Sequence, residues 1–63
     1  MKGKLLIIEK LTLDGYTWSI IIRDDLYINN DATFPTINHT RRNATQWAKK
    51  FGVKIVKEDW AVD

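Results

Sequence analysis

The dipeptide Asp14-Gly15, set between two apolar runs, constrains this chain more than any other feature. Lys4–Leu13 is rich in Leu and Ile, and Tyr16–Arg23 (YTWSIIIR) combines aromatic and β-branched residues that suit a pleated surface. Asp-Gly between such runs is a strong hairpin signal, because a two-residue type I′ turn needs positive φ at both central positions. That turn sets Leu13 opposite Tyr16, Leu11 opposite Trp18, Glu9 opposite Ile20 and Ile7 opposite Ile22. Alternation then gives one face Leu5, Ile7, Leu11, Leu13, Tyr16, Trp18, Ile20 and Ile22. Leu6, Ile8 and Ile21 lie on the opposite face among Lys10, Thr12, Thr17, Ser19 and Arg23, with Ile8 and Ile21 paired. Such a patch is either scattered surface apolar area or a contact with a second copy or partner. Glu9 interrupts the apolar face, which implies an opening to water, a pairing with a base such as Lys54, or, least often for such a carboxylate, a catalytic role.

One helix is expected. In Thr36–Gly52, Ile37, Thr40, Ala44, Trp47, Ala48 and Phe51 recur at the spacing of one helical face. Packing that face on the hairpin predicts Ala44, Trp47, Ala48 and Phe51 as core. Asn38 or Thr40 can cap the start, and Gly52 supplies the left-handed stop after Phe51. Lys49 and Lys50 in the last turn complement the helix dipole.

Between hairpin and helix, Asp24-Asp25 reads as a turn and Leu26–Ile28 as a short strand. Asn29-Asn30-Asp31 is a further turn, Pro35 disfavours a central strand, and Phe34 plugs the end of the core. After the helix, Val53–Val56 reads as a strand and residues 58–63 as a polar tail holding Trp60. The expected architecture is a single α+β domain over residues 1–63. It has a small antiparallel sheet of three to four strands, in the order β-β-β-α-β, and one helix on one face.

Size limits what such a domain can do. A 63-residue chain buries only ~60% of the surface its unfolded form exposes, and such scaffolds commonly need a staple. The absence of cysteine excludes disulfides and thiolate metal sites, which leaves a homodimer or a larger partner as the staple, or a fold that stands alone on its seven aromatics and many isoleucines. The start, Met-Lys-Gly-Lys, leads into only a short apolar run, Leu5–Ile8, so no membrane span is expected and the cytoplasm is the expected location. Two Asn-X-Thr sequons, at Asn38 and Asn43, are then chance matches.

No catalytic set emerges, and a non-enzymatic role is expected. His39, Asp24, Asp25 and Asp31 lack any metal-ligand spacing, and Ser19, the one serine, has no nucleophile elbow. Gly3, Gly15 and Gly52 stand apart, so there is no phosphate-cradling loop and no cofactor is implied. Charge points to binding. The net charge is +2, yet from Asn38 to Lys57 there is no acid, while Arg41, Arg42, Lys49, Lys50, Lys54 and Lys57 cluster. Such a basic face is either a solvated helix surface or a contact.

Two binding classes follow. Trp, Tyr and Arg are typical interface anchors, and an edge strand at Leu26–Ile28 or Val53–Val56 can extend a partner's sheet. Alternatively, Arg41, Arg42, Lys49 and Lys50 reach phosphates of DNA or RNA, Asn43 or Gln46 reach base edges, and Tyr16, Trp18 and Tyr27 stack on bases. The residues expected to carry either function are Arg41, Arg42, Gln46, Lys49, Lys50 and Trp60. The layout YTWSIII, a loop, then ATQWAKKFGVKIVK resembles small early proteins of bacteriophages that bind and inhibit host machinery, among them inhibitors of bacterial RNA polymerase. The resemblance covers Tyr16–Lys57, lies in the order of elements, and carries no functional residue across. It implies binding to a host protein or complex as the leading function.

Overall fold

A computed structural model of the protein describes residues 1–63. The elements are β1 (Lys2–Lys10), β2 (Gly15–Arg23), β3 (Leu26–Asn29), α1 (Ile37–Lys50) and β4 (Lys54–Val62). They form an α+β domain in which a four-stranded sheet of order β3-β2-β1-β4 carries the helix on one face. β1–β2 and β2–β3 are antiparallel, but β4 runs parallel to β1, so the sheet is mixed. The cause is topological. A single helix returns the chain to the end of the sheet where β3 began, so β4 must run the same way as β3, and hence as β1.

The hairpin forms, but with a longer loop. Leu11–Leu13 make one 3-10 turn, Asp14 alone adopts a left-handed conformation (φ 50), and Gly15 becomes the first residue of β2. Ile7 therefore pairs with Trp18, not Ile22, and Leu5 with Ile20. The displacement is even, so each strand residue keeps the face assigned by alternation while changing its partner. Leu11 and Leu13 leave the core for the loop, where both are exposed. Ile8 now faces Thr17 and Ile21 faces Lys4, so the expected Ile8–Ile21 pair does not form. The helix-free face is crossed instead by ion pairs from β1 to β4, Lys4–Asp59 at 3.5 Å and Lys10–Asp63.

The core comprises Leu5, Ile7, Trp18, Ile20, Ala44, Ala48 and Val53, with Tyr16, Ile22, Ile28, Phe34, Ile37 and Ile55 packed around it. Thr36, not Asn38 or Thr40, caps the helix: its Oγ1 accepts from the His39 N–H at 3.1 Å. Thr40 is buried, and its hydroxyl donates back to the Thr36 carbonyl at 2.8 Å. Small side chains (Thr40, Ala44, Ala48) face the sheet, and the helix settles close upon it. Trp47 and Phe51 do not enter the core. They lie to one side, 39% and 52% exposed, because a helix seated this low has no space beneath it for large rings.

Two glycines permit the return from α1 to β4. Gly52, at φ 72, ends the helix in the left-handed conformation expected of it. At Gly3 a Cβ would lie 2.9 Å from Val53 Cγ1 and 3.1 Å from Ile20 Cγ2, so its bare backbone lets Val53 close the core beside β1. The Lys54 N–H then donates to the Met1 carbonyl at 2.7 Å, and the strands run together to Glu9, whose carbonyl accepts from the Asp63 N–H.

Residues 58–63 are thus not a tail. Glu58–Val62 continue β4, paired along Leu5–Glu9. A chain ending at Lys57 is expected to lose its cooperative thermal transition in far-ultraviolet circular dichroism, since β1 forfeits its neighbour along half its length. Retention of a sharp transition would show that this half of β4 is dispensable.

Candidate functional site

The predicted binding residues do not gather on one surface. Helical periodicity puts Arg41, Thr45 and Lys49 on the flank facing β4, where they line a shallow cleft with Ile55 and Glu58. Lys50 lies on the opposite flank with its ammonium 4.8 Å from the Trp47 ring, and Trp47 stacks on Phe51 at 5.8 Å. Arg42 and Gln46 are exposed on the crest between them. Two of the six, Arg41 and Trp60, are brought together, through a residue not singled out in the sequence. The Arg41 guanidinium donates from Nε and Nη2 to the two oxygens of Glu58, each at 2.8 Å, and from Nη1 to Asn38 Oδ1 at 3.1 Å. Trp60 Nε1 donates to the same carboxylate at 2.7 Å.

This forked pair shifts the pKa of both its members. The Arg41 hydrogen bonds hold the Glu58 carboxyl below its ordinary pKa; partial burial opposes this, and the Trp60 N–H and the Arg41 charge reinforce it. Arg41 is raised in turn, chiefly by the same hydrogen bonds. Structurally, Glu58 ties the helix to β4 and accepts the Trp60 indole N–H, while Trp60 as a residue stays 59% exposed.

Trp60 borders an apolar cavity of about 230 Å³ with Ile7, Glu9, Tyr16, Ile37, Ala61 and Val62. It opens where the sheet runs past the start of α1. Glu9 lies opposite Tyr16 on β2 and beside Val62 on β4, far from Lys54, which pairs with Lys2 at the other end of the strand. Of the alternatives the sequence leaves open, the Glu9–Lys54 ion pair is absent: the Glu9 side chain is partly exposed and makes no hydrogen bond or salt bridge.

The outer edge of β4 adds the backbone. The Asp63 N–H points to β1, and alternation turns the N–H and C=O groups of Glu58, Trp60 and Val62 outward, where no strand meets them. The edge at β3 is only four residues long, against nine for β4.

Other sequence candidates have structural tasks. Trp18 is buried, and its Nε1 donates to Asn43 Oδ1 at 2.9 Å; the same oxygen accepts from Asn30 Nδ2 at 3.1 Å, so Asn43 is occupied internally. The Ser19 hydroxyl donates to Asn29 Oδ1, and the His39 ring packs against Phe34 at 5.1 Å. No helix is long and apolar enough to cross a membrane. No protein family, curated protein or solved structure matches the chain.

Glu58 is the residue the sequence reading missed. Its signal was the two-residue recurrence Glu58, Trp60, Val62, which continues the strand begun at Val53–Val56 once Val56 is allowed as an extra, bulged residue of β4 opposite the Gly3–Lys4 step of β1. Because the folded-state pKa of Glu58 lies below its unfolded value, its ionised form stabilises the fold above the ordinary glutamate range, and that contribution is lost as pH falls through the folded value. The urea midpoint of Glu58→Gln should therefore lie below wild type at pH 7, and the gap should close on acidification below pH ~4. A gap independent of pH would mean that packing, not charge, links α1 to β4 at this point.

Proposed function

We propose that the protein is a small non-enzymatic binding module that modulates a larger protein or complex by occupying its surface, in the manner of the phage early proteins it resembles in layout. The contact region is β4 and its flank: Trp60, the adjoining apolar cavity and the open backbone edge. One observation carries this reading. An exposed tryptophan whose indole N–H is bonded to a forked Arg–Glu pair suits an interface anchor, because that bond lowers the cost of ordering the side chain on binding. Arg41 acts by positioning Trp60 through Glu58. Lys49 and Arg42 remain available at the rim, where charges govern encounter rate and salt dependence more than affinity.

The nucleic-acid reading draws less support from this geometry. Arg41 is committed to Glu58, Lys50 lies over Trp47, Asn43 is engaged internally and Trp18 is buried. The remaining basic side chains on the helix, Arg42 and Lys49, are two charges only, short of the dense basic stripe that marks a nucleic-acid footprint.

Affinity capture from host lysate should return one stoichiometric protein partner, and Trp60→Ala should weaken that complex by roughly 30-fold or more, as expected of a central aromatic anchor worth about 2 kcal/mol. Arg42→Ala should change mainly the salt dependence of association. Undiminished binding by a folded Trp60→Ala protein would remove β4 as the contact. A DNA or RNA gel shift that weakens steeply with salt would favour the alternative.

A further inference from the structure

Taking β4 as the contact edge, we infer that the cavity beside Trp60 recognises a cationic side chain, Arg or Lys, carried by an extended segment that adds to β4 as a fifth strand. Glu9 supplies the reason. Four carboxylates of the chain make no salt bridge: Glu9, Asp14, Asp24 and Asp31. The three aspartates lie in exposed turns or loops, whereas Glu9 sits within a strand, only partly exposed, in a cavity otherwise lined by Ile7, Tyr16, Ile37, Trp60, Ala61 and Val62. An unpaired carboxylate beside apolar walls gains a charge-assisted partner when a cation enters and excludes water. Lys10 and Arg41 are engaged elsewhere: Lys10 pairs with Asp63 on the opposite sheet face, and Arg41 with Glu58.

The walls fit the same occupant. Tyr16 and Trp60 offer aromatic surface on either side of Glu9, and a guanidinium or ammonium is attracted both to the carboxylate and to the ring faces. The open backbone groups of Glu58, Trp60 and Val62 fix how the segment arrives. Strands lie ~4.8 Å apart, so an added strand is two spacings from β1, within the combined reach of an Arg side chain and Glu9 but not of a Val or Thr. Alternation then specifies the segment. The cation and its apolar neighbours two residues away face Trp60 and Val62, and the residues between them face the side of Lys57 and Asp59.

The test uses two synthetic peptides, acetylated and amidated, Val-Thr-Arg-Thr-Val and the same sequence with citrulline, a neutral isostere, in place of arginine. Each is titrated into isotopically labelled full-length protein while backbone amide shifts are followed. The arginine peptide should move the amides of Trp60, Val62 and Glu9 and the Trp60 indole signal, and should bind roughly tenfold more tightly than the citrulline peptide. Glu9→Gln should abolish that preference while leaving the remaining spectrum in place. Equal binding of both peptides at β4 would overturn the charge preference while leaving β4 as the contact edge. Binding elsewhere, or none into the millimolar range, would overturn the inference as a whole. So would a dimer by light scattering whose β4 amides are already protected, since a second copy would then occupy the edge. Failure of the contact edge itself is read separately, from partner capture by Trp60→Ala.

Discussion

The arrangement depends on where the N–H of Trp18 goes. A tryptophan buried at the centre of a sheet must find an acceptor for its indole N–H, since an unsatisfied buried donor costs on the order of 1–3 kcal/mol. Here the acceptor is Asn43, on the flank of the helix toward β3. That bond sets the rotation of α1 about its axis. With Asn43 directed to β3, periodicity turns Thr40, Ala44 and Ala48 down onto the sheet, Trp47 and Phe51 out past β3, and Arg41 and Lys49 toward β4. Arg41 thus stands above Glu58 on the side of the helix opposite the Trp18 bond, and the buried face Thr40, Ala44 and Ala48 and that bond call for the same rotation.

This explains what was legible in the sequence and what was not. The order of elements, the helix with its Gly52 stop, and the faces of the hairpin all follow from local periodicity, and they survive even a displaced register because the displacement is even. Asp14-Gly15 misled on the turn because either residue can supply a left-handed conformation. With Asp14 alone doing so after a 3-10 turn, Gly15 is released to pair with Lys10. Trp47 and Phe51 misled because helical spacing fixes the angle of a side chain but not the distance of the helix from the sheet. Three small residues brought that distance below what either ring can occupy.

The site was less legible than the fold because its key residue is charged and sits in a stretch that reads as polar. Lys57-Glu58-Asp59 hides a strand, since the partner that makes it one is β1, more than forty residues earlier. Only the parallel pairing reveals that Glu58, Trp60 and Val62 share a face, and that Glu9, which had looked like a flaw in the core, lines a cavity at the end of that face. Arg41 and Trp60 were found as candidates for reasons of residue type; that they meet through Glu58 is a fact of tertiary structure.

The same distribution of charge answers how a nine-residue open edge is tolerated. An exposed edge strand is a template for uncontrolled pairing, and natural sheets blunt it with charges. β4 concentrates Lys54, Lys57, Glu58 and Asp59 in its first two-thirds, and a bulge in the β1–β4 register further distorts that part of the ladder. An antiparallel second copy centred on Glu58 would set two like carboxylates directly opposite each other, a destabilising arrangement. The apolar remainder, Trp60–Val62, is too short to pair stably by backbone bonds alone and needs side-chain contacts to hold a partner. A segment of the kind proposed, which also fills the cavity beside Trp60, would supply those contacts.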